Sequence, residues 1–480
     1  MMSKTVGVFI VLAIYMIGVF LIGLLTGRKT EKGAEDYYTG KRSFGAIPTA
    51  FSAGATESSS WMFLGCVGYA YACGIESLWM LPGLIVGYWV NWYVTGPRLR
   101  KQAKQNGAKD LPEFLYKATD SKAVYIFGAL IICLLFVPYM ASNLLGAGKT
   151  VDAILNINVG AATIFSAIFV VAYCFIGGYR SVIWTDCCQA SVMVLVFVFM
   201  PIYLLSQVGG WKEMWYILYQ TDPLMLGATY GTTGKAAMST IVGLVFYGFA
   251  CPGQPHVVQR FISAKDNKTV KQGSVIATFW CATIMIGCCI MGFCARIILP
   301  NLADAEYALP SLMFQTMPAV VTGIVVGAIF AAIQSTFSSL LMVAVQNVAS
   351  DIPSALGKSF SHEQETKYGR IAMVVLAVIA AGLAMLNFDS IFAMVWFAYS
   401  GLGAVFAPPL IMAVLKPGFM SKRGCLISMI AGGVTVCIWY FAGLTVYMFE
   451  ALPGLAVSFL CLYVFSKLLP DKKEDMPVSA

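Results

Sequence analysis

Apolar runs of about 20 residues recur along the whole chain, each near the length of a helix that crosses the hydrocarbon core of a bilayer. Only short polar connections separate them. Their approximate limits are 6–27, 45–72, 76–96, 124–146, 159–178, 182–206, 237–252, 273–299, 317–349, 370–387, 391–415, 425–445 and 450–468. The expected fold class is therefore an all-α polytopic membrane protein with thirteen transmembrane helices. The seventh run is short, and the ninth is long enough to continue outside the bilayer. Composition agrees: 59% of the 480 residues are apolar and 11% are charged, where a soluble domain carries about 25% charged residues.

Basic residues mark the side on which each loop lies, because cytoplasmic loops are enriched in Lys and Arg. With the N-terminus outside, the outer connections hold only Lys4, Lys149, Lys212, Lys235 and Arg296. The inner ones hold the rest, from Arg28, Lys29 and Lys32 through Arg180, Arg260 and Arg370 to Lys472 and Lys473. Adding or losing one early span would destroy that bias, so the expected orientation is N-terminus outside and C-terminus inside. The net charge of +8 thus reports topology, and nucleic acid is excluded as a partner. The run Val6 to Gly27 lacks a small-residue cleavage site and reads as a retained span. The polar tail after Pro470 is expected to be disordered.

Catalytic and metal chemistry find little support. The 14 cysteines fall mostly inside apolar runs, Cys281, Cys288, Cys289 and Cys294 among them, where they act as small packing residues. The two histidines, His256 and His362, are far apart and fall in predicted loops, so a zinc site is not expected. No Walker A loop, GxSxG or HExxH occurs. The chain is expected not to be an enzyme and to carry no cofactor.

Two spans are interrupted. In the second, residues 52–60 read Ser-Ala-Gly-Ala-Thr-Glu-Ser-Ser-Ser. A carboxylate at bilayer depth costs about 2.5–3.5 kcal/mol on insertion scales, which makes Glu57 a functional candidate by default. Irregular backbone at that depth is tolerated only against protein or a water-filled cavity. In the seventh, Gly248-Phe249-Ala250-Cys251-Pro252-Gly253-Gln254-Pro255-His256 loosens the backbone and removes helix donors. The plain alternative is that this run merely ends there in a turn. The two spans are five apart and therefore run in opposite directions, as matched breaks in inverted repeats do.

The ninth span carries Ser335, Thr336, Ser338 and Ser339 within five positions. The three serines share one helix face. Hydroxyls, carbonyls and carboxylates suit a hard cation such as sodium. Serines in membrane helices also bond back to their own helix carbonyls, and both readings stand. Asp186, in Trp184-Thr185-Asp186, reads equally as an ion ligand or as the N-cap of the sixth span.

Several of these stretches match a family. The segments Gly40 to Gly45, Ser52 to Glu57, Trp184 to Asp186, Gly253 to His256 and Ala332 to Ser339 resemble those of the sodium/solute symporters, most closely the proline-carrying bacterial branch. The resemblance covers nearly the whole chain. It implies a LeuT-type fold of five-plus-five inverted repeats, with discontinuous helices in spans 2 and 7, in a bacterial cytoplasmic (inner/plasma) membrane. The divisions are then 1–44 (first peripheral helix and loop), 45–208 (spans 2–6), 209–236 (an extracellular connection), 237–415 (spans 7–11) and 416–480 (two peripheral helices and a short tail).

The resemblance also implies residues. A sodium site would use backbone oxygens of Ala55 and Ser58, the Ala332 carbonyl, and the Ser335 and Thr336 hydroxyls. A second sodium would draw on Asp186, Ser335, Ser338 and Ser339. The solute would meet Glu57, Ser59, Trp61, Tyr139, Tyr247 and Cys251. Glu57, Tyr247 and Cys251 depart from the proline pattern, which has aspartate, tryptophan and tyrosine there. The expected activity is sodium-coupled import of a small amino acid or related zwitterion by alternating access, with proline foremost. Alternatives are another small solute (carboxylate, sugar or osmolyte) or a channel or facilitator. Partners are then sodium, the solute and the bilayer, and a monomer suffices.

Overall fold

The computed structural model describes residues 2–28, 34–386 and 390–471. Lys29, Lys32, Lys472, Lys473 and the tail beyond Asp471 lie outside the described residues. Every regular element among those described is helical, and the extended contact recorded is one isolated bridge between Phe44 and Ala264.

Among the described residues, eleven helices are long and apolar enough to cross a membrane. Two of them join predicted runs: Val159–Gln207 takes in the fifth and sixth, and Trp61–Asn106 takes in the end of the second and all of the third. Inside both, a glycine turns the chain where the sequence suggests a connection. Gly74 has φ +60, and a Cβ there would lie 2.1 Å from the Met225 carbonyl oxygen. Gly178 has φ +57 and ψ −156, against the Tyr37 ring and carbonyl. Only glycine takes such backbone freely.

Burial separates centre from rim. Of the most apolar window in Ala319–Ala355 and in Ile391–Leu415, 83% is buried, against 22% for the first helix and 33% for each of the last two. The rim exposes Phe9, Ile14, Leu134, Phe279, Val378 and Phe441, as side chains facing hydrocarbon do. Helix Ala319–Gln346 runs on through a π turn, Asn347–Asp351, to Ala355.

Helix Met80–Trp89 crosses the second broken segment at backbone distance. A Cβ on Gly83 would fall 1.8 Å from the Val245 carbonyl oxygen, and one on Gly248 would fall 2.0 Å from that of Gly83. Small residues allow such approach between membrane helices.

Two alternatives fall away, the turn at Pro252 and the Asp186 N-cap, and the loop assignments of His256, Arg260 and Arg100 are corrected. The seventh run does not end at Pro252: after the break, Pro255–Ser263 is a helix whose residues are all buried. His256 and Arg260 lie in it, so neither is a loop residue, and Arg260 reports nothing about loop charge. Arg100 is also buried, and its Nη2 donates to the Lys265 carbonyl at 2.8 Å. Asp186 is no N-cap, since it lies inside the helix that follows the Gly178 turn.

The entrance to the first broken segment and the exit from the second are tied together. Lys265 N–H donates to the Phe44 carbonyl at 2.9 Å. The two interrupted elements thus approach the middle of the molecule from a common anchor.

Candidate functional site

Helix Ala46–Glu57 ends where three serines follow one another, because serine side chains compete for backbone partners. Ser58 leaves helical geometry (φ −85, ψ 31). Its hydroxyl donates to the Gly54 carbonyl at 2.8 Å and accepts from Trp280 Nε1 at 3.0 Å. Trp61 Nε1 donates to the freed Glu57 carbonyl at 3.1 Å. Ser60 N–H donates to Asn143 Oδ1 at 3.1 Å. Other helices therefore satisfy the broken end, and the chain resumes as a π turn, Trp61–Cys66.

The second break follows its prolines. Gly248–Gly253 is a 3-10 turn, Gln254 is extended (φ −85, ψ 106), and Pro255 opens the next helix. The Gln254 amide donates to the Ala250 and Tyr399 carbonyls at 3.1 and 3.0 Å.

Helix 319–346 meets the first break through hydroxyls. Ser335 Oγ lies 2.9 Å from the Ala55 carbonyl and 3.1 Å from that of Ala332. Thr336 Oγ1 donates to the Thr56 carbonyl at 2.8 Å. Three of the residues expected at a sodium site, Ala55, Ala332 and Ser335, are thus gathered directly. Thr336 joins them through Thr56, which sequence reasoning missed. Ser58 is expected there through its backbone oxygen; its hydroxyl donates to the Gly54 carbonyl. Carbonyls and hydroxyls are the kinds of oxygen that a hard monovalent cation takes as ligands.

The other expected cation set is arranged differently. Ser338 Oγ donates back to the Ser335 carbonyl at 3.1 Å, as a serine inside a helix ordinarily does. Between Asp186 and Ser339 stands the Arg260 guanidinium. Its Nη2 donates to Asp186 Oδ2 at 3.0 Å and to Ser339 Oγ. Its Nε donates to Ser52 Oγ at 3.0 Å, and Ser52 in turn donates to Asp186 at 2.5 Å. Its Nη1 donates to the His256 carbonyl at 2.7 Å. Both side chains of the ion pair are fully buried. The sequence signal for Arg260 was its place in the amphipathic stretch His256 to Ile262, which reads as helix once the break before it is recognised.

The residues expected to meet a solute surround Glu57. Cys251 Sγ–H donates to Glu57 Oε1 at 3.3 Å, and Asn91 braces the Cys251 carbonyl at 3.4 Å. Tyr88 and Tyr399 also face the Glu57 carboxylate, yet Oε2 is buried with no hydrogen-bond partner. Trp61 and Tyr247 meet edge to face at 5.9 Å. Tyr247 stacks on Trp396 at 4.0 Å and on Tyr399 at 4.7 Å. Tyr139 packs against His256 at 5.8 Å, and Ser59 Oγ accepts from Trp61 N–H at 3.5 Å. The Tyr139 and Tyr247 hydroxyls, Trp396 Nε1 and both His256 ring nitrogens are buried without partners. Native interiors satisfy nearly all such atoms. These unpartnered atoms lie together beside the two broken helices. Tyr88, Trp396 and Tyr399 there carried no sequence signal, because an aromatic in an apolar run reads as packing; His256, which closes the second interrupted stretch, read as a loop residue.

A cleft of about 460 Å³ is lined by Gly65, Tyr69, Lys149, Glu306 and Phe392, among others. Lys149 bridges Asp304 and Glu306 across it at 2.8 and 2.6 Å.

A model of the family described as Sodium:solute symporter family matches residues 37–432. The sodium/proline symporter of Salmonella typhimurium is 30% identical over 97% of this chain and 94% of its own length. The high-affinity proline transporter PutP of Bacillus subtilis is 30% identical over 93% of this chain and 95% of its own. Among solved structures, a Na+-coupled sialic acid symporter superposes with a TM-score of 0.81 at 21% identity, covering 97% of this chain and 99% of that one. MHP1, a nucleobase-cation-symport-1 family transporter, superposes at 0.53 with 11% identity, covering 92% and 96%. These two likenesses concern the fold.

Proposed function

Because the chain belongs to the sodium:solute symporter family, we propose that it is a sodium-coupled symporter for a small amino acid or related zwitterion, with proline the leading candidate. The observation that carries the proposal is the pairing of two sites at one break. Helix 46–57 ends in carbonyls that meet the Ser335 and Thr336 hydroxyls, and its last side chain, Glu57, faces the unpartnered polar band.

In this reading sodium takes over the carbonyl–hydroxyl contacts among Ala55, Ala332, Ser335 and Thr336, with Ser58 at the edge, and ties helix 46–57 to helix 319–346. That fixes Glu57. The solute's ammonium then pairs with the Glu57 carboxylate, while its apolar body lies against Trp61, Tyr139 and Tyr247. Each sodium entering adds about 2.3 kcal/mol per 100 mV of membrane potential. Coupling is reciprocal: sodium raises solute affinity by the factor by which solute raises sodium affinity. Glu57 and Cys251 reshape the wall relative to the proline pattern, which leaves room for a different zwitterion.

The accompanying topology has thirteen crossings, with spans 2–6 and 7–11 as two inverted repeats and the other three peripheral, the N-terminus outside a bacterial cytoplasmic membrane and the C-terminus within. The turns at Gly74 and Gly178, which divide two long helices at the predicted connections, support it.

Uptake of radiolabelled proline, other amino acids, sugars and carboxylates into proteoliposomes, with and without an inward sodium gradient, tests the reading. Accumulation that needs sodium is expected. Solute flow that never exceeds equilibrium would instead mark a facilitator.

A further inference from the structure

Helix His362–Leu386 changes character abruptly along one of its faces. Glu363, Lys367 and Arg370 occupy its first turns, and Ile371 and Val374 follow at once. With Phe175 of helix 159–207 these residues line a groove of about 910 Å³. Phe175, Ile371 and Val374 are exposed along it. Lys367 is exposed and Arg370 half-buried. The Arg370 guanidinium lies over the Phe175 ring at 4.5 Å and meets the Tyr37 hydroxyl, while its Nε is buried without a hydrogen-bond partner.

We propose that this groove holds one anionic phospholipid, with the phosphodiester against Lys367 and Arg370 and an acyl chain along Ile371, Val374 and Phe175. The change from charged to apolar between adjacent residues matches the change from headgroup to hydrocarbon within a lipid. A free phosphate would use only the charged half and leave the apolar wall uncovered. Two cations against the single acid Glu363, a turn farther from the apolar half, leave the headgroup end net positive. Each Lys or Arg where a helix leaves the membrane strengthens attachment to anionic lipid by about fivefold. A guanidinium also presents its donors in the planar fork that phosphate oxygens accept.

The site has a consequence for the fold. Phe175 stands three residues before the Gly178 turn, and a Cβ on Gly178 would lie 2.7 Å from the Tyr37 ring. Arg370 therefore touches a residue on each side of that close packing. A lipid seated on Arg370 braces the joint between the fifth and sixth runs. In the topology proposed above this end of helix 362–386 faces the cytoplasm, so the lipid belongs to the inner leaflet. The binding itself requires neither that topology nor sodium coupling.

The test uses the full chain, purified in detergent and stripped of lipid. It is titrated separately with dioleoyl-phosphatidylglycerol, dioleoyl-phosphatidylcholine and inorganic phosphate. Native mass spectrometry counts the lipids retained, and the thermal midpoint is followed in parallel. Phosphatidylglycerol is expected to be retained and to raise the midpoint, phosphatidylcholine and phosphate much less. Replacing both cations, Lys367→Gln with Arg370→Gln, should weaken phosphatidylglycerol retention on the order of 25-fold and remove its effect on the midpoint. Arg370→Gln also loses its contact with Phe175, so the midpoint difference with and without lipid is compared, never the midpoint alone. Lys268→Gln with Lys271→Gln, an equal loss of charge at exposed positions on another helix, should leave the lipid effect intact. If the Lys367 and Arg370 pair variant fails to fold, Lys367→Glu, at an exposed position, decides by the same loss. Equal retention by the variant and the wild type overturns the proposal. So does a phosphatidylcholine effect as large as that of phosphatidylglycerol, or full stabilisation by phosphate alone.

Discussion

Two polar clusters flank the end of helix 46–57, and they are completed in opposite ways. Around Asp186 nearly every donor and acceptor finds a protein partner: Ser52, Ser339 and the His256 carbonyl all converge on Arg260. Around Glu57 the reverse holds, and one carboxylate oxygen, two phenol hydroxyls, an indole N–H and an imidazole have none. Both clusters are buried, so exposure does not distinguish them. A closed network holds a shape, because removing any member strands the others in low dielectric. An open one raises the free energy of the unliganded protein, and a ligand that supplies the missing bonds recovers it. The contrast separates the two clusters more sharply than residue type does, since each has an acid at its centre.

The strongest test of the contrast removes one charge from the closed cluster. Asp186→Asn leaves Arg260 buried without its counter-ion, and breaking a buried pair in this way costs about 3–5 kcal/mol. A large drop in the thermal midpoint of the purified protein is expected. Asp186→Asn combined with Arg260→Met should recover most of it. A single mutant as stable as the wild type would mean that the cluster does not hold the fold.

At the open cluster, Glu57→Gln should leave the fold nearly unchanged while abolishing coupled uptake. A charge-assisted hydrogen bond is worth about 1.5–3 kcal/mol, so solute affinity should fall by one to two orders of magnitude. Solute-dependent thermal stabilisation reads this directly. Unaltered stabilisation by the solute would remove Glu57 from the site.

Ser335→Ala tests the junction between the two clusters. It removes one hydroxyl ligand and should weaken sodium dependence by about tenfold, the equivalent of about 1.4 kcal/mol, with solute affinity at saturating sodium little changed. A loss confined to solute affinity would move the cation elsewhere. The smallest effect is expected from Tyr247→Phe. Its hydroxyl has no protein partner, so stability should stay within about 0.5 kcal/mol, as for changes away from structural features. Solute affinity alone should drop severalfold.

Much of this was legible in the amino-acid sequence. Both breaks announced themselves through residues that cannot continue a helix, the Ser58 to Ser60 run and the pair Pro252 and Pro255. Ser335 stood out because hydroxyls at helical spacing are conspicuous in an apolar run. Arg260 was misassigned for an equally physical reason. An arginine after a proline-rich turn reads as an inner-loop charge, and only its partner, 74 positions away in the chain, makes its burial affordable. The aromatic wall around Glu57 was hidden as well: Trp396 and Tyr399 sit in an apolar run where any large side chain would look at home.

Apolar periodicity and length by themselves determined that this chain is a bundle of membrane helices, because a backbone in hydrocarbon has no other way to pair its donors and acceptors. Proline, glycine and serine placement determined where that pairing lapses, since those effects act within a few residues. Which polar groups would close on one another and which would be left waiting was decided only by the tertiary structure. Hydrogen bonds and ion pairs act over a few ångströms between residues far apart in the chain, and no local pattern records who the neighbour will be.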